Sequence, residues 1–362
     1  MTAPVRKGSF EASLAVSPQR SARLDPAVYL ALLPVEALGG LTNTERVSVL
    51  GVIGFDDFPE SGANAPYPVL TLPMSSLDGQ KLCEAWLSSK PVTYGEHLGI
   101  RCAFNGEILF GSFCLREQEQ ESVETRTHRA YSRILDLVRY SGYTHLVRVW
   151  NYLPRINGES GGLENYQRFC LGRHQAFAEA DYVFDRDLPA ASAIGAGAEG
   201  LRIYFLAARA PGRQIENPRQ VSAYRYPLQY GPRSPSFSRA TLTEFGGERQ
   251  LFLSGTASIV GHETLHPEDA GGQLLETLIN IQAVLNELGR SRIKLDELGA
   301  DCMLKVYLRH REHLGIAKKY LAETLHPSCP VIFLQGDICR RDLLLEIEGV
   351  VRLSRPHPGL GR

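Results

Sequence analysis

The chain has no hydrophobic run long enough to span a bilayer, and its opening MTAPVRKGSFEASLAVSPQRSARLDP holds no apolar core of signal-peptide length. The expected compartment is the cytoplasm, with no membrane partner. An excess of charge is also missing. Lys and Arg number 39 against 40 Asp and Glu, so nothing asks for a nucleic acid or an anionic surface. No C-x-x-C pair occurs among the seven cysteines (Cys83, Cys102, Cys114, Cys170, Cys302, Cys329, Cys339), which excludes a disulfide framework or a thiolate zinc site on spacing. The Gly-rich string AIGAGAEG never completes G-x-G-x-x-G and runs into the strand-like LRIYFLAAR, which argues against a nucleotide site. No cofactor is expected.

What is present is enough chain, 362 residues, for two units with their own cores. Residues 1–24 carry no periodicity and read as a flexible leader, with ordered structure expected from near Tyr29. VSVLGVIGF and ILFGSFCL read as strands, and residues 127–143 as a helix stopped by Gly142 before the strand HLVRVWNYL. The second half runs in the same order. RQLFLSGTASIV is a strand entering a turn, and GGQLLETLINIQAVLNELGRS is a strongly periodic helix. The strand CMLKVYL, the helix EHLGIAKKYLAETL and the strands VIFLQ and LLLEIEGVVRL follow, so an internal duplication is expected, with RVWNYL and LKVYL equivalent. Between the halves, residues 189–235 are rich in Gly, Pro, Tyr and Arg. An irregular aromatic and cationic segment of this kind suits a pocket for a small anion, through Tyr226, Tyr230, Arg225 and Arg233.

His262, Glu263 and His266 spell H-E-x-x-H, with Glu287 downstream as a third ligand, the pattern of a zinc hydrolase. The motif needs a helix to aim both imidazoles at one metal. Its flanks read as strand and turn, and Pro267 biases His266 away from helical dihedrals. No metal site is expected here, and zinc hydrolysis is kept as a remote alternative.

The strings RVWNYLPRIN, NYQRFCLGR, NPRQVSAYRYPLQYGPRSP, FLSGTASIVGHETLH and DICRRDLLLEIEGVV together resemble the chorismatase family, over about residues 45–352. The C-terminal half also resembles the YjgF/RidA-like fold, at Gln273, Asn280, VYL and LEIEG. The resemblance implies an α/β (α+β) chain of two YjgF/RidA-like units with mixed sheets and helices on one face. The first unit is expected at 25–188. The central loop and the catalytic unit are expected at 189–362. The implied substrate is chorismate, cleaved to pyruvate and a hydroxybenzoate. Oligomeric state is left open.

A substrate with two carboxylates calls for cationic anchors, and Arg matches a carboxylate with two parallel donors. Arg148, beside Trp150 and Tyr152, is the first choice, followed by Arg173 and by Arg225 or Arg233. Opening an enol ether needs a proton donor, and a carboxylic acid with a raised pKa suits. Glu346 and Glu348 share one face of an apolar strand, where mutual repulsion should keep one of them protonated. By resemblance Glu346 matches the family's catalytic glutamate. The resemblance further implies that Gly in the SGT turn (Ser254, Gly255, Thr256) and Cys in DIC mark enzymes that form 3-hydroxybenzoate. Ala at both marks hydrolytic enzymes that release a dihydroxycyclohexadienoate. Gly255 and Cys339 point to 3-hydroxybenzoate, with 4-hydroxybenzoate as a further product of the pigment-pathway type.

Overall fold

The structure is a computed structural model that describes residues 27–353 apart from 39–47, 57, 59–64, 120, 198 and 290–292. The expected leader lies outside the described residues.

Strands β1 (Tyr29–Pro34), β2 (Ser48–Phe55), β3 (Val69–Leu72) and β4 (Leu82–Ser88) form a four-stranded sheet ordered β1-β4-β2-β3. A first αβ unit follows. It comprises β5 (Thr93–His97), β6 (Ile100–Phe104), β7 (Ile108–Leu115), helix α1 (Val123–Ser141), β8 (His145–Pro154), the ribbon β9 (Glu159–Ser160) and β10 (Leu163–Glu164), helix α2 (Asn165–Glu179), β11 (Ala190–Ala196) and β12 (Leu201–Ala208). The second unit comprises β13 (Arg213–Ile215), β14 (Ala240–Phe245), β15 (Glu248–Thr256), the hairpin β16 (Ile259–Val260) and β17 (Glu263–Thr264), helix α3 (Ala270–Asn286), β18 (Cys302–Leu308), helix α4 (Leu314–Thr324), β19 (Val331–Gln335) and β20 (Leu345–Leu353).

The duplication is visible in the sheet orders. The first six-stranded sheet runs β5-β6-β7-β12-β8-β11 and the second β13-β14-β15-β20-β18-β19, the same path in the same chain order. In each, the strand after the first helix pairs in parallel with the strand after the second: β8 with β11, and β18 with β19. The boundary expected at 188/189 is therefore corrected. β11 and β12 hydrogen-bond to β8 and β7, so the first unit extends through Ala208.

Period-two alternation sends each strand's residues into two different cores. On β12, Ile203, Phe205 and Ala207 face α1 and α2, while Tyr204 and Leu206 face inward. On β20, Leu345, Ile347 and Val351 pack under α3 and α4, which leaves Glu346 and Glu348 pointing the other way. The inner faces of both large sheets, with Trp86, Leu50 and Ile53 of the small sheet, bury a shared central core. Its aromatic centre is Trp150 stacked on Tyr204 at 4.4 Å, with Trp86 at 5.4 Å from Trp150.

Helix α1 starts where Ser122 accepts from the Thr125 N–H and ends where Gly142 turns left-handed (φ 74°). Helix α2 was not placed from sequence, because its core-facing side mixes Phe169 and Phe177 with Arg173 and so breaks the apolar stripe. It packs tightly on α1 at Gly172, where an added Cβ would overlap Glu124 O and lie 2.8 Å from His128 N. Both obstacles are backbone, so neither can swing aside. Gly172→Ala is expected to destabilise the chain by about 1–3 kcal/mol through overpacking, read as a lower urea midpoint at unchanged slope.

Candidate active site

A cavity of about 370 Å³ opens where the second unit meets α2 and β11 of the first. Glu346 enters it from β20, Gly255 and Ala257 from the end of β15, and Ala191 to Ala193 from β11. The segment between β13 and β14 adds Tyr226, Tyr230, Phe237 and Arg239, and the turn between β19 and β20 adds Cys339 and Arg340. The two units are stitched together beside it: Ala191 N–H donates to Ser254 Oγ at 2.9 Å, and Gly195 bridges Asp337.

The β15–β20 ladder slips here. Between the pairs Leu253↔Gly349 and Thr256↔Ile347, β15 carries one residue more than β20, a bulge that contains Gly255. A Cβ at Gly255 would overlap Glu346 Oε1 and come within 2.6 Å of its carboxyl carbon. Glycine at this position makes room for the carboxyl group itself.

Glu346 is 4% exposed. Burial, and then the charge of Glu348, push its pKa up to about 8, against a smaller downward pull from Arg148 and Arg239. It holds its proton at neutral pH. Glu348 is its opposite: burial alone would raise it, but Lys305 and Arg148 hold it below the usual carboxylate range. Its Oε2 takes Arg148 Nη2 at 2.6 Å and the Ser192 hydroxyl, and its Oε1 takes Lys305 Nζ at 2.6 Å and the Tyr307 hydroxyl at 2.9 Å. Cys339 is pushed up to about 12 by burial and then by Glu346, so its sulfur is a neutral thiol and no nucleophile.

The same cavity holds three guanidinium groups with spare donors. Arg173 Nε, Arg239 Nε and Arg340 Nη2 are buried without an acceptor among the described residues. Arg340 lies flat on Tyr230, 4.0 Å from the ring centre, and donates through Nη1 to His262 O at 2.9 Å. Arg239 donates to Tyr226 Oη at 2.8 Å and to Val221 O at 2.9 Å. Arg173 is 1% exposed and sits over Phe169 at 4.8 Å. Burying cations with idle N–H groups is costly unless an anion comes to them. The spare donors of Arg173, Arg239 and Arg340 suit an anionic ligand with more than one acceptor group.

Six residues named from sequence line this cavity: Arg173, Tyr226, Tyr230, Gly255, Cys339 and Glu346. Four do not. Arg148, taken as the leading anchor, lies on the inner face of β8 with 0% exposure and spends its charge on Glu348. Tyr152 is buried beside it, sharing a 2.9 Å hydrogen bond with Tyr307. Thr256 donates to Ser254 O, and Arg233 is solvent-exposed. Sequence reasoning overlooked Arg239, Arg340 and Tyr166. Arg340 stands within DICRRD, where only the cysteine drew notice, and the small polar neighbours of Arg239 in SFSRA give no periodic signal.

The H-E-x-x-H string sits on the β16–β17 hairpin and the turn after it, with His266 at φ 56°. It lacks the helical geometry that would converge two imidazoles. His262 Nδ1 instead meets the Tyr230 hydroxyl at 3.2 Å, His266 lies 3.6 Å from Glu276, and Glu287 is exposed at the end of α3.

Residues 84–207 match the family described as Chorismatase FkbO/Hyg5-like, N-terminal. A chorismatase of Streptomyces rapamycinicus is 42% identical over 281 residues, covering 76% of this chain and 83% of its own. A 3-hydroxybenzoate synthase of Streptomyces hygroscopicus is 37% identical over 314 residues, covering 84% and 92%. A chorismatase crystal structure at 1.08 Å superposes with a TM-score of 0.80 at 34% identity, covering 90% of this chain and 98% of that one. Relatives this similar over most of both chains, together with the matching architecture, establish that this chain belongs to the chorismatase family.

Proposed function

We propose that the chain cleaves chorismate to pyruvate and 3-hydroxybenzoate, with Glu346 as the acid. The observation that carries this reading is a buried carboxyl, its pKa raised to about 8, in one cavity with three guanidinium groups that each hold a buried, unused donor. Chorismate brings two carboxylates, which Arg173, Arg239 and Arg340 are suited to bind, and the aromatic faces of Tyr226, Tyr230 and Phe237 suit its ring. Protonation of the enolpyruvyl methylene by Glu346 generates an oxocarbenium-like centre and makes pyruvate a leaving group. With no water entering, the neighbouring ring hydroxyl gives up its proton and its oxygen bonds to the carbon that pyruvate leaves. The resulting arene oxide reopens at its original carbon, and loss of a proton from the newly oxygenated carbon leaves an aromatic ring with its hydroxyl at the 3-position. If water entered instead, a dihydroxycyclohexadienoate would result. The 3-hydroxybenzoate synthase relative supports the first course, as does the fit between Gly255 and the acid.

The reading is tested by incubating the purified chain with chorismate, measuring pyruvate by a coupled assay and the ring product by chromatography, with and without chelator. Pyruvate and 3-hydroxybenzoate in equal amounts, indifferent to chelation, are expected. Glu346→Gln should remain folded, keep KM within a few-fold and lose about 10²–10⁴ in kcat. Full activity in that variant would remove the acid from the scheme.

The raised pKa also makes a stability prediction. Between the ordinary glutamate range and about 8, the folded chain holds a proton at Glu346 that the unfolded chain has lost, so this group's contribution to stability falls as pH rises through that window. Gln mimics the protonated form. Glu346→Gln should match the parent near pH 4.5 and be more stable by about 2–4 kcal/mol near pH 9, measured by urea denaturation. A pH-independent difference would contradict a proton held at Glu346.

Gly255→Ala tests product choice. The added methyl must displace the Glu346 carboxyl, so proton delivery and the exclusion of water should both loosen. Slower pyruvate release is expected, with a measurable share of dihydroxycyclohexadienoate beside 3-hydroxybenzoate. Unchanged rate and a single aromatic product would mean that the contact does not govern the outcome.

A further inference from the structure

We propose that Glu348 is a positioning residue for the reaction: its fixed negative charge, locked in place by Arg148 and Lys305, keeps the neighbouring acid Glu346 loaded with its proton, while Arg148 pulls the other way. This rests on the reading of Glu346 as the acid.

The geometry is local. Glu346 and Glu348 are two residues apart on β20 and project to the same face, with Tyr307 and Lys305 as their cross-strand partners. Glu348 is 1% exposed and receives four donors, from Arg148, Lys305, Ser192 and Tyr307, so its charge cannot be relieved by protonation or by solvent. Lys305 also binds Glu84 at 2.8 Å and the Tyr204 hydroxyl at 2.6 Å, and Trp86 Nε1 donates to Glu84 at 3.2 Å. Arg148 and Lys305 against Glu348 and Glu84 make a network of zero net charge. The uncompensated positive charge near Glu346 therefore comes from the cavity arginines, and Glu348 is the nearby carboxylate set against it.

The other titratable and charged groups around Glu346 come from every element packed against it. Arg148 comes from β8, Tyr307 from β18, Glu164 from β10, Tyr166 and Arg173 from α2, Tyr226, Tyr230 and Arg239 from the segment before β14, and Cys339, Arg340, Arg341 and Asp342 from the β19–β20 turn. His262 stands behind Tyr230. The hydroxyls of Tyr166 and Tyr307 titrate well above the ordinary tyrosine range and Cys339 near 12, each because of burial first, so these three stay neutral where Glu346 gives up its proton. The arginines stay charged throughout. The basic limb of the activity profile therefore reports Glu346, and its position reports the balance of Glu348 against Arg148.

The test compares the parent with Glu348→Gln, Glu348→Asp and Arg148→Gln. Two readouts are taken: the pH profile of kcat/KM on chorismate, and the carboxyl titration of Glu346 followed by NMR in the ligand-free, 13C-glutamate-labelled chain, assigned with Glu346→Gln. Removing the like charge in Glu348→Gln should move both midpoints at least about one pH unit towards acid. Removing the opposing cation in Arg148→Gln should move both towards alkali, with KM within about threefold of the parent because Arg148 does not line the cavity. Glu348→Asp, which keeps the charge, should stay near the parent. A merely structural role would lower activity at all pH values without opposite shifts. Glu348→Gln leaves two cations short of a partner; if it does not fold, Arg148→Gln, which leaves Glu348 paired with Lys305, carries the same test with the opposite sign. Midpoints that stay put in the folded variants while Glu346→Gln is inactive would overturn this inference and leave the acid assignment standing. An active Glu346→Gln would overturn the acid assignment instead, and the NMR midpoints would still report whether Glu348 tunes Glu346.

Discussion

The structure depends on a charge cluster sealed between its sheets. Arg148 on β8, Glu84 on β4, Lys305 on β18 and Glu348 on β20 bring one charged residue from each of four strands and three sheets to a place with almost no solvent. Desolvating such charges costs several kcal/mol each, and a buried network is tolerable only when every member is matched. Matching is close here: Lys305 bridges both carboxylates, Arg148 lies 4.6 Å over Trp150, the hydroxyls of Ser192, Tyr204 and Tyr307 occupy the remaining carboxylate positions, and within the cluster Arg148 Nε is left without an acceptor among the described residues. Removing one partner from a buried pair costs about 3–5 kcal/mol. The cluster therefore fixes how the three sheets face one another, a specificity that apolar contacts alone would leave looser.

The duplicated topology explains where the cavity is. Each unit covers one face of its sheet with its own two helices and turns the other face to its twin, and the cavity opens along the seam at the strand ends. The two units do not contribute alike. On β8 and β12 the central cross-strand pair is Trp150 with Tyr204, an aromatic stack, whereas on β18 and β20 it is Lys305 with Glu348, an ion pair. Glu346 comes from the second unit, and the first supplies walls, a cation and a further carboxylate through Ala191, Tyr166, Arg173 and Glu164.

Much of this was legible in the sequence. The strands and helices with clean periodicity, the equivalence of RVWNYL and LKVYL, and a strand with two carboxylates on one face follow from patterns of period 2 and 3.6. What was not legible is which buried charge meets which. Arg148 in an apolar strand suggested an anchor for an external carboxylate, but the carboxylate it meets lies 200 residues further along the same chain. Alternation assigns a face and says nothing of the partner across a sheet interface. Helix α2 escaped for a related reason, since Arg173 on its buried side interrupts the stripe that marks a helix. Arg239 and Arg340 lie on irregular segments whose placement follows from tertiary contacts, so no local period could point them at the cavity.

The same two charges that complicated the reading explain how one site can hold an acid and attract a dianion. An array of arginines strong enough to bind two carboxylates would, unopposed, strip the proton from any carboxylic acid among them. Glu348 opposes that pull from behind, where the substrate does not reach, and the bulge at Gly255 brings the acid forward without a side chain in its way. Under the proposed reaction the incoming carboxylates add further negative charge near Glu346 and tighten its hold on the proton until the enol ether takes it. Once the proton has moved, the new Glu346 carboxylate faces an oxocarbenium-like centre and the cations Arg239 and Arg148, so the charge it has just gained is stabilised on both sides. The acid is weak in the free chain and compensated after transfer, which is the order in which a proton donor of this kind has to work.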